Sequence, residues 1–202
     1  MVETDKKRDV IIEGAVKRFI HYGIQKTTMN EIAEDLSVSK PSLYYYFPDK
    51  SSLIEGVIEK IFSDYFHLVE KDIDTDISFE ERMTNLVEIG HRFFQKYYML
   101  HLSGGSPDPS FNSEQLKAKF MFMKQRHTNF FSDIFKRAVK AGEISIVEDP
   151  EKIAELYLES LAGITSLCIM HGNRELFPSK KELRAILDKQ ISLSKIFIKG
   201  LK

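Results

Sequence analysis

The chain has no tryptophan and a single cysteine, Cys168, among 202 residues. One thiol excludes an intramolecular disulfide and any site that needs several thiolates. Strand signals are almost absent, because apolar residues recur at helical rather than alternating spacing. Charge of one sign is lacking too: the net charge is −1, so no general affinity for polyanions follows from composition. No apolar run approaches the length of a membrane span, and Lys6, Lys7, Arg8 and Asp9 lead into an amphipathic pattern rather than an apolar leader. The expectation is a cytoplasmic protein with no membrane partner. The six histidines stand at least ten residues apart, so no helical pair has metal-ligand spacing. Nucleophile-elbow, phosphate-loop and Cys-His patterns are missing as well. Neither an enzyme, nor a metal site, nor a cofactor is expected.

What is present is helix. At 43% hydrophobic residues the chain can bury a sizeable core, and its apolar spacing predicts nine helices, an all-α fold. The first spans about 5–22, with Ile11, Ala15, Phe19 and Tyr22 on one face and Gly23 as terminator. The fourth runs from Asp49 to about Lys71 and carries Leu53, Val57, Ile61 and Tyr65 along one stripe. A fifth opens on the capping box Ser78–Glu81. Ser103-Gly-Gly-Ser-Pro-Asp-Pro-Ser110 then interrupts the pattern, with a short sixth helix expected before it. The seventh covers about 113–141, the eighth starts at Asp149-Pro150 and runs to His171-Gly172, and the ninth starts at Ser179 with Glu182 completing a box.

Thr27 to Leu53 is the most informative stretch. Thr28 and Glu31 form a capping box, and Ile32, Ala33 and Leu36 make a short apolar stripe behind it. Ser39 caps the next helix, Pro41 sits in its first turn where a missing amide proton costs nothing, and the helix must stop before Pro48. Val38 and Leu43 are expected to face the core. Between Leu36 and Pro48 the sole charged residue is Lys40, and three consecutive tyrosines cannot all be buried on one helix.

Two short helices joined by a tight turn, then a third with Lys50 in its first turn, resemble the DNA-binding half of the tetracycline-repressor (TetR) family. Thr27, Thr28, Ile32, Ala33, Val38, Ser39, Leu43, Tyr44, Tyr46, Phe47, Lys50 and Leu53 fit its pattern in one ungapped register, and Phe19 and Gly23 match upstream. Ser37 departs from it, standing where the family has glycine. The resemblance implies a helix-turn-helix domain at residues 1–50 and a helical effector-binding and dimerisation domain at 51–202. It implies a sequence-specific transcriptional regulator, a repressor released by a small apolar or aromatic effector, acting as a homodimer on palindromic double-stranded DNA. The competing reading is an all-helical ligand-binding or interaction protein without DNA activity.

By chemistry, Asn30 can pair with an adenine edge, Lys40 with guanine, and Pro41 and Ser42 can meet thymine or other base edges; the resemblance implies that these positions, with Tyr44, face the bases. Thr28, Tyr45, Tyr46 and Lys50 are expected on phosphates, with Ser39 at the helix start. Lys6, Lys7 and Arg8 either add backbone contacts or form a solvated arm.

Between the fourth and eighth helices, phenylalanine, tyrosine and methionine exceed what one helical face can hide. An effector cavity is expected around Phe93, Phe94, Tyr97, Phe120, Met123, Phe130 and Tyr157, with Arg126, His127 and His91 as polar anchors. A phenylalanine-rich core is the alternative. The last two helices are apolar on two sides. Either the chain's own core wraps both, or a second subunit covers one face; the resemblance implies the second, a four-helix dimer bundle through Ile164, Cys168, Leu187 and Ile191, with Ala162, Gly163 and Ser166 permitting close approach.

Overall fold

The computed structural model describes residues 2–73, 76–98, 114–145, 148–171 and 178–202. Among them stand eight helices and no strand: α1 Val2–Tyr22, α2 Met29–Asp35, α3 Lys40–Tyr46, α4 Lys50–Ile73, α5 Phe79–Lys96, α6 Glu114–Lys140, α7 Pro150–His171 and α8 Lys180–Gly200. The expected short helix before Ser103 and the glycine- and proline-rich stretch lie outside the described residues. The chain divides into two compact units, Met1–His67 with Lys96–Phe120, and Leu68–Gln95 with Met121–Lys202.

In the first unit the core is drawn from each of the first four helices. Ile11, Ala15 and Phe19 of α1, Ile32 and Ala33 of α2, Leu43 of α3 and Leu53 and Val57 of α4 are buried, as is Phe47 just after α3. Tyr22 is not part of it: the ring is 53% exposed and lies under the Arg18 guanidinium, 5.0 Å from its centroid. The end of α1 has turned that position outward, where a cation covers its face. Helix α1 also reaches back to Val2, so Lys6 and Lys7 are exposed helical residues rather than a loose arm. Arg8 stacks over Phe47 at 5.1 Å.

Gly14 explains how close α1 approaches the turn after α2. A Cβ built there would fall 2.6 Å from the Leu36 side chain.

In the second unit an aromatic cluster forms the centre. Phe135 meets Phe79 at 5.6 Å, Tyr157 at 6.0 Å and Phe197 at 6.3 Å, and Tyr157 meets Phe131 at 5.8 Å and Phe197 at 5.2 Å. The Tyr157 hydroxyl donates to the Ser194 hydroxyl at 2.8 Å inside this cluster. Helices α7 and α8 pack on each other, and Gln190 closes the seam by donating to the Leu161 carbonyl at 3.1 Å and to Thr165 Oγ1 at 3.0 Å.

One helix passes the length and composition of a membrane span, contrary to the expectation from the sequence. Pro150–Met170 has a mean hydropathy of 1.4, and only 17% of that window is buried. Its inner side packs in the aromatic cluster, while Leu156, Leu167 and Met170 on its outer side are 55–75% exposed. Two apolar faces on one helix raise its mean hydropathy above what a single core-facing stripe gives.

Candidate nucleic-acid interface

The reading elements are fixed from their ends. Thr28 is the N-cap of α2: its Oγ1 accepts from the Glu31 amide at 3.3 Å, and Glu31 Oε2 accepts from the Thr28 amide at 2.7 Å. The Thr28 hydroxyl also donates to Glu31 at 2.9 Å. Those hydrogen bonds, first, and then the nearby Arg18 hold the Glu31 carboxyl below its ordinary range. Both Thr28 protons that could have met a phosphate are therefore committed to Glu31. In this arrangement Thr28 shapes the helix start, and a hydrogen bond from it to a phosphate would have to replace one of those to Glu31.

The exit of α2 carries a complete αL cap. Ser37 has φ +53°, its amide donates to the Glu34 carbonyl at 3.0 Å, and the Val38 amide donates to the Ala33 carbonyl at 3.0 Å. This is the Schellman arrangement, which in most helices uses glycine at the left-handed position. Serine adopts it at a cost of about 1 kcal/mol. Val38 is half-buried rather than core, and Leu36 is likewise half-buried.

Ser39 then caps α3, its Oγ accepting from the Ser42 amide at 3.3 Å, and Pro41 lies in the first turn. Leu43 and Phe47 anchor the inner face at 0% and 2% exposure. Lys40, Pro41, Tyr44 and Tyr45 occupy the opposite face and are exposed, Tyr45 to 76%. Tyr46 is half-buried and meets Tyr45 edge-on at 5.1 Å. Ser42 is half-buried, Asn30 is exposed on the first turn of α2, and Lys50 is half-buried at the start of α4. Asp49 caps α4 by accepting from the Ser52 amide at 2.7 Å. Of the ten residues expected at the interface, the structure brings Lys40, Pro41, Tyr44 and Tyr45 onto one outward face of α3.

Arg18 is the organising residue that sequence patterns missed. Its guanidinium reaches Glu31 at 2.8 Å and Asp35 at 2.7 Å, tying α1 to α2 and matching two of the acids on the short helix. The hydrogen bond to Asp35, before any other cause, raises its pKa further. The partners lie 13 and 17 positions away, beyond any helical spacing, so only the tertiary fold exposes the link.

The expected effector residues are scattered. Tyr157 is fully buried with its hydroxyl satisfied, and burial pushes its pKa up to about 12, so it is a core member. Phe120 is 40% exposed. Arg126 pairs with Glu70 at 2.8 Å on the surface, and His127 packs edge-on to Phe131 at 5.1 Å, where burial pushes its pKa down to about 4. Phe93, Phe94 and Phe130 are half-buried, and Met123 and Tyr97 are buried. The two cavities described in the second unit are lined by none of these residues. His91, the remaining anchor, does line one of them.

The dimer candidates Ile164, Cys168, Leu187 and Ile191 are half-buried, with the Lys189 ammonium 3.5 Å from the Cys168 sulfur. The large apolar side chains that face outward are Leu156, Leu167 and Met170 on α7 and Ile196 on α8, with Gly163 in open space along the same stripe of α7. The outward stripe of α7 thus runs one position away from the one expected.

Comparison with known proteins meets this geometry at the same place. Residues 11–57 match the model of bacterial regulatory proteins, tetR family. Over 163 residues the chain is 26% identical to the HTH-type transcriptional regulator YuxN of Bacillus subtilis, covering 77% of this chain and 55% of that one. It is 24% identical over 107 residues to the biofilm operon icaADBC HTH-type negative transcriptional regulator IcaR of Staphylococcus epidermidis, covering 53% and 58% of the two chains. The match therefore spans little more than half the length of either relative. The crystal structure of a transcriptional regulator from Cytophaga hutchinsonii superposes with a TM-score of 0.83 at 27% identity, covering 96% of this chain and 98% of that one. The cap, turn and outward face of α3 fall inside the matched segment, so residues 11–57 carry the helix-turn-helix of the bacterial regulatory proteins of the tetR family, and over most of its length the chain is similar to bacterial transcriptional regulators.

Proposed function

We propose that the protein is a homodimeric, sequence-specific DNA-binding repressor whose grip on a palindromic operator is released by a small molecule. The observation that carries this reading is the outward face of α3: Lys40, Pro41, Tyr44 and Tyr45 stand exposed on a helix whose other face is locked by Leu43 and Phe47. A seven-residue helix with two buried anchors is rigid enough to enter a major groove, and Lys40 and Tyr44 offer donors to base edges there. Tyr45, Tyr46 and Lys50 hold the phosphates, and residues 1–50 do the reading while 51–202 bind the effector and pair the subunits. The repressor sense draws on IcaR, which is named a negative regulator.

Two-fold pairing through the outer faces of α7 and α8 covers Leu156, Leu167, Met170 and Ile196, which no soluble monomer gains by exposing. Half-sites then fall about one helical turn apart. Release needs no large motion. Helix α4 is continuous from Lys50 to Ile73 and begins directly after the reading helix, so a shift along it alters the spacing of two heads that must fit one DNA. An effector that prefers the off-DNA spacing by about 1–3 kcal/mol lowers operator affinity some five- to 150-fold.

The test is fluorescence anisotropy on DNA fragments flanking the gene. Tight binding to one palindrome that falls steeply with salt is expected. Weak binding indifferent to sequence leaves an all-helical ligand-binding protein as the better description.

A further inference from the structure

A cleft of about 460 Å³ opens in the second unit between the C-terminal half of α5 and the N-terminal half of α8. It is lined by Glu88, His91, Arg92 and Gln95 from α5 and by Lys180, Arg184 and Leu187 from α8. Its volume falls in the range of small-molecule sites and far exceeds what a single water or ion fills.

Two independent features give the cleft a chemical preference. The first is charge. Arg92, Lys180 and Arg184 face it against a single lining acid, Glu88. Arg184 spends its Nε on Asp188 at 3.0 Å, on the same helix, and keeps its two terminal amino groups. Lys180 is the first residue of α8, directly after the cap Ser179, where helix geometry already favours a negative group.

The second is a buried polar atom with nothing to bond. His91 is only 6% exposed, yet its Nδ1 has no hydrogen-bond partner. Leaving such a group unpaired costs about 1–3 kcal/mol, and since the His91 ring lines the cleft, a small turn of that ring would bring the atom to a ligand there. Burial, and after it the Arg184 charge, lowers the His91 pKa, while Asp188 works against them, so the ring is neutral and can donate from Nδ1 as one of its two tautomers.

We propose that this cleft binds a small organic anion, with its carboxylate or phosphate held by Arg92, Arg184 and Lys180, a hydrogen bond from His91 Nδ1, and its apolar body against Leu187. The binding itself does not depend on the regulator reading; its role as the releasing signal does. An anionic head on an apolar body also departs from the wholly apolar effector that the aromatic residues suggest. The effector is selected here by guanidinium groups at the cleft, while the aromatic cluster of the second unit is a packed core.

The full-length protein is titrated with hexanoate and with hexyl phosphate, using hexyltrimethylammonium as a cation with the same body, by calorimetry and thermal shift. Either anion should raise the melting temperature and bind at least tenfold tighter than the cation. It should also move the His91 imidazole resonances in nitrogen-edited spectra. Arg92→Gln with Arg184→Gln should weaken the anion at least tenfold without changing the ligand-free melting temperature, because both side chains are exposed. His91→Gln should weaken it by a smaller factor. Absence of anion binding, equal binding of the cation, or anion binding unchanged in the double variant overturns the proposal. Operator binding is measured separately on ligand-free protein, so its failure would count against the regulator reading and leave the cleft result standing.

Discussion

Residues 27–53 and the second compact unit are built from the same element, but contacts of different reach fix them. In the reading stretch, Thr28 with Glu31, Ser39 with Ser42 and Asp49 with Ser52 each join residues three positions apart. In the second unit, Tyr157 meets Ser194 across 37 positions, and the Phe79 amide meets Glu143 across 64. A helix fixed from its own ends keeps its boundaries whatever surrounds it. A helix fixed by distant partners takes its faces from them. The same difference separates the two kinds of site: an outward α3 face set by local rules, and a cleft that brings α5 residues together with residues of α8 far along the chain.

Breaking the long-range half should have the largest effect. Leu167→Glu places a charge on the outer face of α7, where burial of an unpaired carboxylate in the proposed dimer would be prohibitive. Sedimentation should show monomers, and operator binding should be lost while the helical content is kept. Phe135→Ala removes the ring that touches Phe79, Tyr157 and Phe197, at a cost of about 3–5 kcal/mol in chemical denaturation. Retention of near-wild-type stability would mean that the aromatic cluster is not the core of this unit.

A pH effect of intermediate size follows from His127. Its folded pKa of about 4 lies below the ordinary 6.5, so the unfolded chain binds the proton more readily. The neutral ring is therefore compatible with full stability above pH 6.5, and stability is lost as pH falls from 6.5 towards 4. Each tenfold difference in proton affinity is worth about 1.4 kcal/mol. Denaturation at stepped pH should show a steeper acid loss in the wild type than in His127→Phe. Parallel curves would place His127 in water.

The local half responds to smaller changes. Thr28→Ala removes the acceptor of the Glu31 amide and the cap of α2, at about 1 kcal/mol. Ser37→Gly does the reverse, because glycine takes φ +53° without strain, and should raise the melting temperature by about 2–4 °C. A drop on Ser37→Gly would show that the serine makes a contact worth more than its backbone strain.

Legibility in the sequence follows the reach of each contact and not the unit it lies in. The starts of α2, α3, α5 and α8 were readable to within a residue because a hydroxyl and the amide three positions on declare each of them. The stripe Leu53, Val57, Ile61 and Tyr65 on α4 is buried as its fourfold spacing implies. The turn was marked too, since the one departure from the family's pattern, Ser37 in place of glycine, falls on the residue with φ +53°.

Arg18 and Tyr22 were not readable, since the partners of Arg18 lie on another helix and Tyr22 turns out beneath it. The arrangement of the expected effector residues was not readable for a related reason. Counting aromatics finds an apolar volume but cannot tell a packed cluster from a cavity, and Tyr157, fully buried with a satisfied hydroxyl, belongs to the cluster. The cleft carries no such compositional mark, because Arg92 and Arg184 are ordinary surface cations until α5 and α8 bring them together.

The central claim is that the outward face of α3 reads sequence while its flank only holds the backbone. Binding of Lys40→Ala and Lys50→Ala to the operator and to every single-base variant of one half-site, across a salt series, tests it most directly. Lys40→Ala should flatten discrimination at one or two base pairs, by about 1–3 kcal/mol each, whereas Lys50→Ala should weaken all sites alike and reduce the salt slope by about one counterion. Unchanged base preference in Lys40→Ala, together with altered preference in Lys50→Ala, would contradict the assignment.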